Sequence, residues 1–150
     1  MKPIWMAIAA SAVAFAHAQV PAGYPADYSK TLAAAKKEGK VVIYSALDTK
    51  AAQPLVKDFS ALYPDIKVEY NDMNSTEIYN RFIAEVASGQ GSADVLWSSA
   101  MDLQVKLVDE GNAMTYVSPE TPKLPKWAVY KNQAWARRTS PPSSSTTSAS

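Results

Sequence analysis

Three short apolar runs punctuate the chain, each ending in small polar residues and each followed by a helical pattern: Val41-Val42-Ile43-Tyr44-Ser45, Ile66-Lys67-Val68-Glu69-Tyr70-Asn71 and Asp94-Val95-Leu96-Trp97-Ser98-Ser99. The first is nearly continuous, as expected of a parallel strand buried on both faces. The second alternates with Lys67 and Glu69, which predicts one wetter face or a sheet edge. The helical segments lie between and around them. Residues 26–38 follow Pro25 and stop at Gly39, a residue suited to the left-handed position after a helix. Leu55, Val56, Phe59 and Leu62 recur at helical spacing and are expected to face the sheet. Pro54 within that segment predicts a helix start near Gln53, because proline is accepted in a first turn. Asn74 with Glu77 three residues on is a capping-box start, and Ile78, Phe82, Ile83 and Val86 form the apolar side of the helix behind it. Leu103, Leu107 and Val108 do the same for a helix over 101–110, which Gly111 closes. Residues 112–135 are rich in Pro and Trp, with one short helix expected near 125–129.

The order α-β-α-β-α-β-α with short loops and right-handed crossovers predicts an α/β fold: a three-stranded parallel sheet, order 2-1-3, with helices on both faces. About 115 residues just suffice for such a lobe.

The ends of the chain have a different character. Lys2, the apolar stretch 4–15 and Ala16-His17-Ala18 stand in the order of an export signal, so residues 1–18 are expected to be a cleaved signal peptide. That stretch is too short to span a bilayer. From residue 136 the composition turns abruptly to Arg, Pro, Ser, Thr and Ala, and residues 136–150 are expected to be a disordered tail. Such a break is expected either of a genuine linker or of a frameshifted or truncated end, and its abruptness favours the second.

Removal of the signal changes the available chemistry. His17 is the only histidine and the chain has no cysteine, so residues 19–135 hold neither. Cys/His zinc sites, a Ser-His-Asp triad and a Cys-His dyad are excluded there. Loss of Lys2 leaves 14 basic residues against 14 acidic ones. No basic stripe suggests nucleic acid, and no polybasic helix suggests a membrane surface.

In a sheet of order 2-1-3, ligands gather at the switch point outside the carboxyl ends of the first and third strands. Ser45, Ala46, Leu47 and Thr49 follow the first strand, and Ser98 and Ser99 follow the third. Asn74, Ser75 and Thr76 open the helix after the second and stand at the rim. Helix starts carry partial positive charge and unpaired N–H groups, so a small anionic solute, or a ferric ion with a synergistic anion, is the expected guest. Helix capping competes for Asn74, Thr49 and Asp48. Ordinary turn roles compete for Ser45, Ser98 and Ser99. Tyr44 and Trp97 are expected in the core, and Tyr70 and Tyr79 in packing roles. Asn74-Ser75-Thr76 also matches a glycosylation sequon. Gly89-x-Gly91 follows a helix, the wrong context for a dinucleotide loop.

The strand 40–46, Phe59-x-x-x-Tyr63-Pro64-x-Ile66-x-Val68, Ala93-Asp94-Val95-Leu96-Trp97 and Leu107-Val108-x-x-Gly111 together resemble extracellular (periplasmic) solute-binding proteins of ABC importers, in the subgroup related to ferric-iron binders. The resemblance covers residues 1 to about 135, the extent of one partial N-terminal lobe. It implies a type II periplasmic-binding-protein lobe, a periplasmic location, a membrane permease as partner and no cofactor. It also implies a second lobe that closes on the ligand and, in the ferric-iron members, supplies tyrosines to the metal. Those positions have no counterpart here, so solute binding is expected to be impaired, and no metal ligand is assigned. Two alternatives stay open: an exported α/β hydrolase acting on a small anionic ester, although no G-x-S-x-G elbow is present, and a non-functional truncated product.

Overall fold

The computed structural model describes residues 20–91 and 93–136. The expected signal peptide lies outside the described residues, as does the expected tail apart from Ala136, whose N–H donates to the Ala128 carbonyl at 2.8 Å.

Seven elements follow in the expected order: α1 (Tyr28–Glu38), β1 (Lys40–Ser45), α2 (Thr49–Leu62), β2 (Lys67–Asp72), α3 (Ser75–Ala87), β3 (Val95–Trp97) and α4 (Met101–Asp109). The three strands form one parallel sheet in the order β2-β1-β3. Register pairs Ser45 with Asp72 on one side and with Trp97 on the other. Gly39 ends α1 with a φ of 75°, a left-handed turn that costs glycine little, and β1 begins at the next residue.

Side chains alternate across a strand, so the faces can be assigned. Tyr44 points to the side of α3, where its hydroxyl donates to both Glu85 carboxylate oxygens at 2.9 Å and its ring lies 4.4 Å beneath the Arg81 guanidinium. Burial and the Glu85 hydrogen bond push the phenol up from its ordinary pKa. Ser45 and its register partner Asp72 point the other way, and Asp72 bonds Thr49 at the start of α2. Two helices thus cover opposite faces, as two right-handed crossovers in opposite directions require. The core is small: Leu32, Tyr44, Ala52, Ile66, Ile78, Phe82, Leu107 and Val108 are its buried apolar members in and between these seven elements.

Several expectations fail here. Pro54 does not delay α2, which starts at Thr49 and carries the proline inside. Pro54 is exposed, so the Lys50 carbonyl that lacks its helical partner can be solvated. Within α2 only Ala52 is fully buried, with Val56 and Phe59 half-buried, while Leu55 is 59% and Leu62 63% exposed. Val86 of α3 is likewise exposed. Trp97 is not a core residue: it is 39% exposed. The apolar side of each helix is wider than the narrow sheet beneath it.

The single helix expected near residue 127 is instead two 3-10 turns, Thr121–Lys123 and Lys126–Ala128, followed by the antiparallel hairpin β4 (Val129–Tyr130) and β5 (Ala134–Trp135). Lys131 and Asn132 turn the hairpin at φ of 51° and 52°, a left-handed pair of the type that matches strand twist. Asp109 of α4 ties the hairpin down, accepting from the Tyr130 hydroxyl at 2.9 Å and from Lys131 Nζ at 2.6 Å.

Candidate functional site

The carboxyl ends of the three strands open onto one shared rim. Ser45 and Trp97 are register partners, so Ser98 lies one residue beyond the end of β1. The Ala46 N–H donates to the Trp97 carbonyl at 2.9 Å, and the Met73 N–H to the Ser45 carbonyl at 3.0 Å. Those bonds draw all three strand exits together.

On the β1 side most polar groups are spoken for. Ser45 is fully buried, and its Oγ accepts the Leu47 N–H at 3.0 Å, so the hydroxyl folds the loop on itself. The Leu47 carbonyl accepts the Tyr70 hydroxyl at 2.6 Å. Ala46 is exposed. Thr49 gives both its N–H, at 2.9 Å, and its Oγ1, at 3.1 Å, to one Asp72 carboxylate oxygen. Asp48 accepts the Lys50 N–H at 2.8 Å as the N-cap of α2. Two carboxylates therefore already occupy the first turn of α2.

The start of α3 is closed in the same manner. Asn74 Oδ1 accepts the Glu77 N–H at 2.9 Å and Glu77 accepts the Asn74 N–H at 3.0 Å, the reciprocal capping box read from the sequence. Thr76 stands exposed beside it.

The exit of β3 differs. Ser98 Oγ accepts the Ala100 N–H at 3.1 Å and donates to Ser75 Oγ at 2.8 Å, so one hydroxyl links the starts of α4 and α3. Ser75 takes part in that bond as acceptor, which does not use its own hydroxyl proton. Ser99 is exposed. The N-cap of α4 is Ala100, which makes no side-chain capping bond, and Asp102 sits in the first turn behind it. The structure thus gathers Ser75, Ser98 and Ser99 around one uncapped helix start and assigns Ser45, Thr49 and Asn74 to building the rim. Asp72 and Tyr70, absent from the sequence-derived set, prove to hold the β1 loop. The strand boundary drawn at Asn71 hid the first, and the packing role given to Tyr70 said nothing of its hydroxyl.

Among the described residues no group of three or more His, Cys, Asp or Glu is arranged to hold a metal ion. Among the described residues, too, no helix is long and apolar enough to cross a membrane.

Comparison with known proteins adds to this geometry. Residues 45–143 match the family model described as bacterial extracellular solute-binding protein. Among solved structures, the chain is similar to the substrate binding protein of the ABC transporter from Agrobacterium tumefaciens, with 41% sequence identity and a TM-score of 0.64. That match covers 68% of this chain and 30% of the other, so this chain corresponds to well under half of that relative's length. None of the curated proteins matches the sequence.

Proposed function

The chain belongs to the bacterial extracellular solute-binding protein family, and on that premise we propose that it forms one wall of an ABC-importer substrate receptor whose guest is a small solute with an anionic group. Family membership favours binding over catalysis and weighs against the hydrolase alternative. The proposed location is outside the cytoplasmic membrane, reached through the signal at residues 1–18, and the proposed partner is the importer's membrane permease.

One observation carries the choice of guest. The uncapped start of α4 lies against the Ser98 hydroxyl, which bonds Ser75 at 2.8 Å. The anionic group sits over Ser99 and the first-turn amides of α4 and accepts a hydrogen bond from the Ser75 hydroxyl. Helix-start amides and hydroxyls complement negative charge. At the starts of α2 and α3, by contrast, Asp48, Asp72 and Glu77 hold the place an anion would take. Hydroxyl and amide donors favour an anion over a bare ferric ion, whose hard charge calls for anionic oxygen ligands. A ferric ion would enter through its accompanying anion.

One wall alone holds such a solute weakly, with a dissociation constant in the region of 1 mM, or about 4 kcal/mol. Amide NMR titration with inorganic phosphate, a phosphonate and ferric citrate reads binding in that range. We expect shifts concentrated at residues 98–103 and a roughly tenfold loss of affinity in Ser98→Ala, about 1.4 kcal/mol. Shifts confined to the hairpin, or equal affinity in Ser98→Ala, would rule this reading out.

A further inference from the structure

Ser98 reaches the rim at the end of a strand that little else holds in place. β1 and β2 pair over six positions, but β1 and β3 over only three, Ile43 with Val95, Tyr44 with Leu96 and Ser45 with Trp97. On its other side β3 opens on a groove of about 380 Å³ lined also by Trp127 and Trp135, with no further strand beside it among the described residues. A buried face normally specifies the register of a strand, because a slip of one residue turns every side chain over. Here that guide is weak. Val95 and Trp97 are 44% and 39% exposed, and Leu96 between them is only half-buried. Yet the register decides the site. A slip of two residues would carry Ser98 about 7 Å along the sheet, out of reach of the Ser75 hydroxyl that it now meets at 2.8 Å.

Asp94, the residue just before β3, makes two bonds to one residue of β1. Its N–H donates to the Val42 carbonyl at 2.9 Å, and its carboxylate Oδ2 accepts the Val42 N–H at 2.8 Å. Backbone N–H groups alternate along a strand, so that of Val42 points to the same side of β1 as that of Ala46, toward β3. The Ala46 N–H finds the Trp97 carbonyl at 2.9 Å. Val42 precedes the first paired position, and there the Asp94 side chain supplies the acceptor that a strand carbonyl supplies further along. We propose that Asp94 is the positioning residue of the rim: its carboxylate pins β3 to β1 at Val42 and so sets where Ser98 meets Ser75. Four residues separate the pin from Ser98, about 13 Å of extended chain, so Asp94 acts through the strand and does not touch a solute at the rim. Aspartate suits the task because its acceptor is charged, and hydrogen bonds to a charged acceptor are the stronger kind. Asp94 serves solute binding only if the rim is the site proposed above, whereas its hold on the register stands without that reading.

The test uses the full chain. Asp94 is exposed, so substitution there leaves no cavity. Asp94→Ala removes the acceptor, and Asp94→Asn keeps the shape and an amide oxygen that can still accept the Val42 N–H. Leu32→Ala serves as the comparison, since it empties a buried position on α1, a helix that carries none of these bonds. In Asp94→Ala the Val42 amide should exchange hydrogen roughly tenfold faster. The cross-strand nuclear Overhauser contacts of the Tyr44–Leu96 pair should be lost or displaced, and the amide signals of residues 98–100 should move in the free protein. Phosphate affinity of the folded molecules should fall about fivefold in Asp94→Ala and return to within about twofold of the original in Asp94→Asn. Leu32→Ala should lower the melting temperature and leave both the register contacts and the affinity of folded molecules unchanged. Val42 exchange that ignores Asp94→Ala would overturn the proposal, as would Tyr44–Leu96 contacts and residue 98–100 signals that stay in place. An equal fall in affinity in Leu32→Ala would also overturn it, by assigning the loss to stability alone. If the original chain binds no phosphate, the solute reading fails by itself, and the exchange and register measurements on the free protein still decide the role of Asp94.

Discussion

Along β2, the outward strand on one side of the sheet, charge interrupts the apolar positions. Lys67 and Glu69 pair at 3.2 Å, and Lys40 of β1 reaches Glu69 at 3.6 Å. Along β3, the outward strand on the other side, the exposed side chains are instead Val95 and Trp97, 44% and 39% exposed, beside a groove of tryptophans. Charged side chains on an edge discourage other chains from adding to it, and a bare apolar edge invites them. β2 runs six residues and β3 only three. One border of the sheet is finished for water. The other stays apolar and partly exposed, and it leads into the strand exit where the proposed solute site lies.

The largest effect should come from what both borders share. Ile78 of α3 is 1% exposed beneath the sheet, and Ile78→Ala should cost about 2–5 kcal/mol by urea denaturation, a transfer cost plus a cavity. A loss well below that range would mean the borders are held separately. Next, Asn74→Ala should cost about 1 kcal/mol, the usual value of an N-cap, while leaving the Ser98 amide shifts unchanged. If it abolished phosphate-induced shifts as well, Asn74 would be a ligand contact rather than a builder of the rim.

A third experiment loosens only the β3 side. Hydrogen bonds from Lys131 and Tyr130 hold the Asp109 carboxyl below its ordinary pKa. The hairpin's support from this carboxylate is therefore complete above roughly pH 4, the ordinary aspartate value, and is lost as pH falls through the lower folded value. Tryptophan emission from Trp127 and Trp135 should shift red in that acid window, and Asp109→Asn should remove the pH dependence by showing the loosened signal throughout. Identical titrations in both proteins would remove Asp109 from the account. The smallest effect in stability tests the other border. Lys67→Val with Glu69→Val should change unfolding free energy by no more than about 0.5 kcal/mol, because exposed ion pairs contribute little. The same variant should nonetheless self-associate on sedimentation, as an uncharged β2 would.

What could be read from residues alone follows the same division between local and long-range causes. The succession of strands and helices along the chain, the capping box at Asn74 and the stop at Gly39 depend on neighbours within a few positions, and those were legible. Helical spacing says which side chains share a face, but not how much sheet lies beneath them. That is why Leu55, Leu62 and Val86 were expected inside and stand in solvent. The same reason applies to Trp97: an apolar run announces a strand but not whether its outer side has a neighbour. Pro54 misplaced a helix start because propensity weighs a lost hydrogen bond without knowing that the position faces water. The hairpin escaped notice because its turn uses Lys131 and Asn132 instead of glycine. At the rim, sequence named the loops that the three strand exits bring side by side. It could not tell a hydroxyl turned back on its own backbone, as in Ser45, from one left with a proton to give, as in Ser75.

The loop behind β1 has a kinetic consequence. Ser45 Oγ holds the Leu47 amide, Tyr70 holds the Leu47 carbonyl, and the Ser45 carbonyl holds Met73. A molecule arriving at the rim meets a surface already fixed in shape and need not order it, so little affinity is lost to immobilising the receptor. Related compounds should then arrive at similar speeds and differ chiefly in how long they stay.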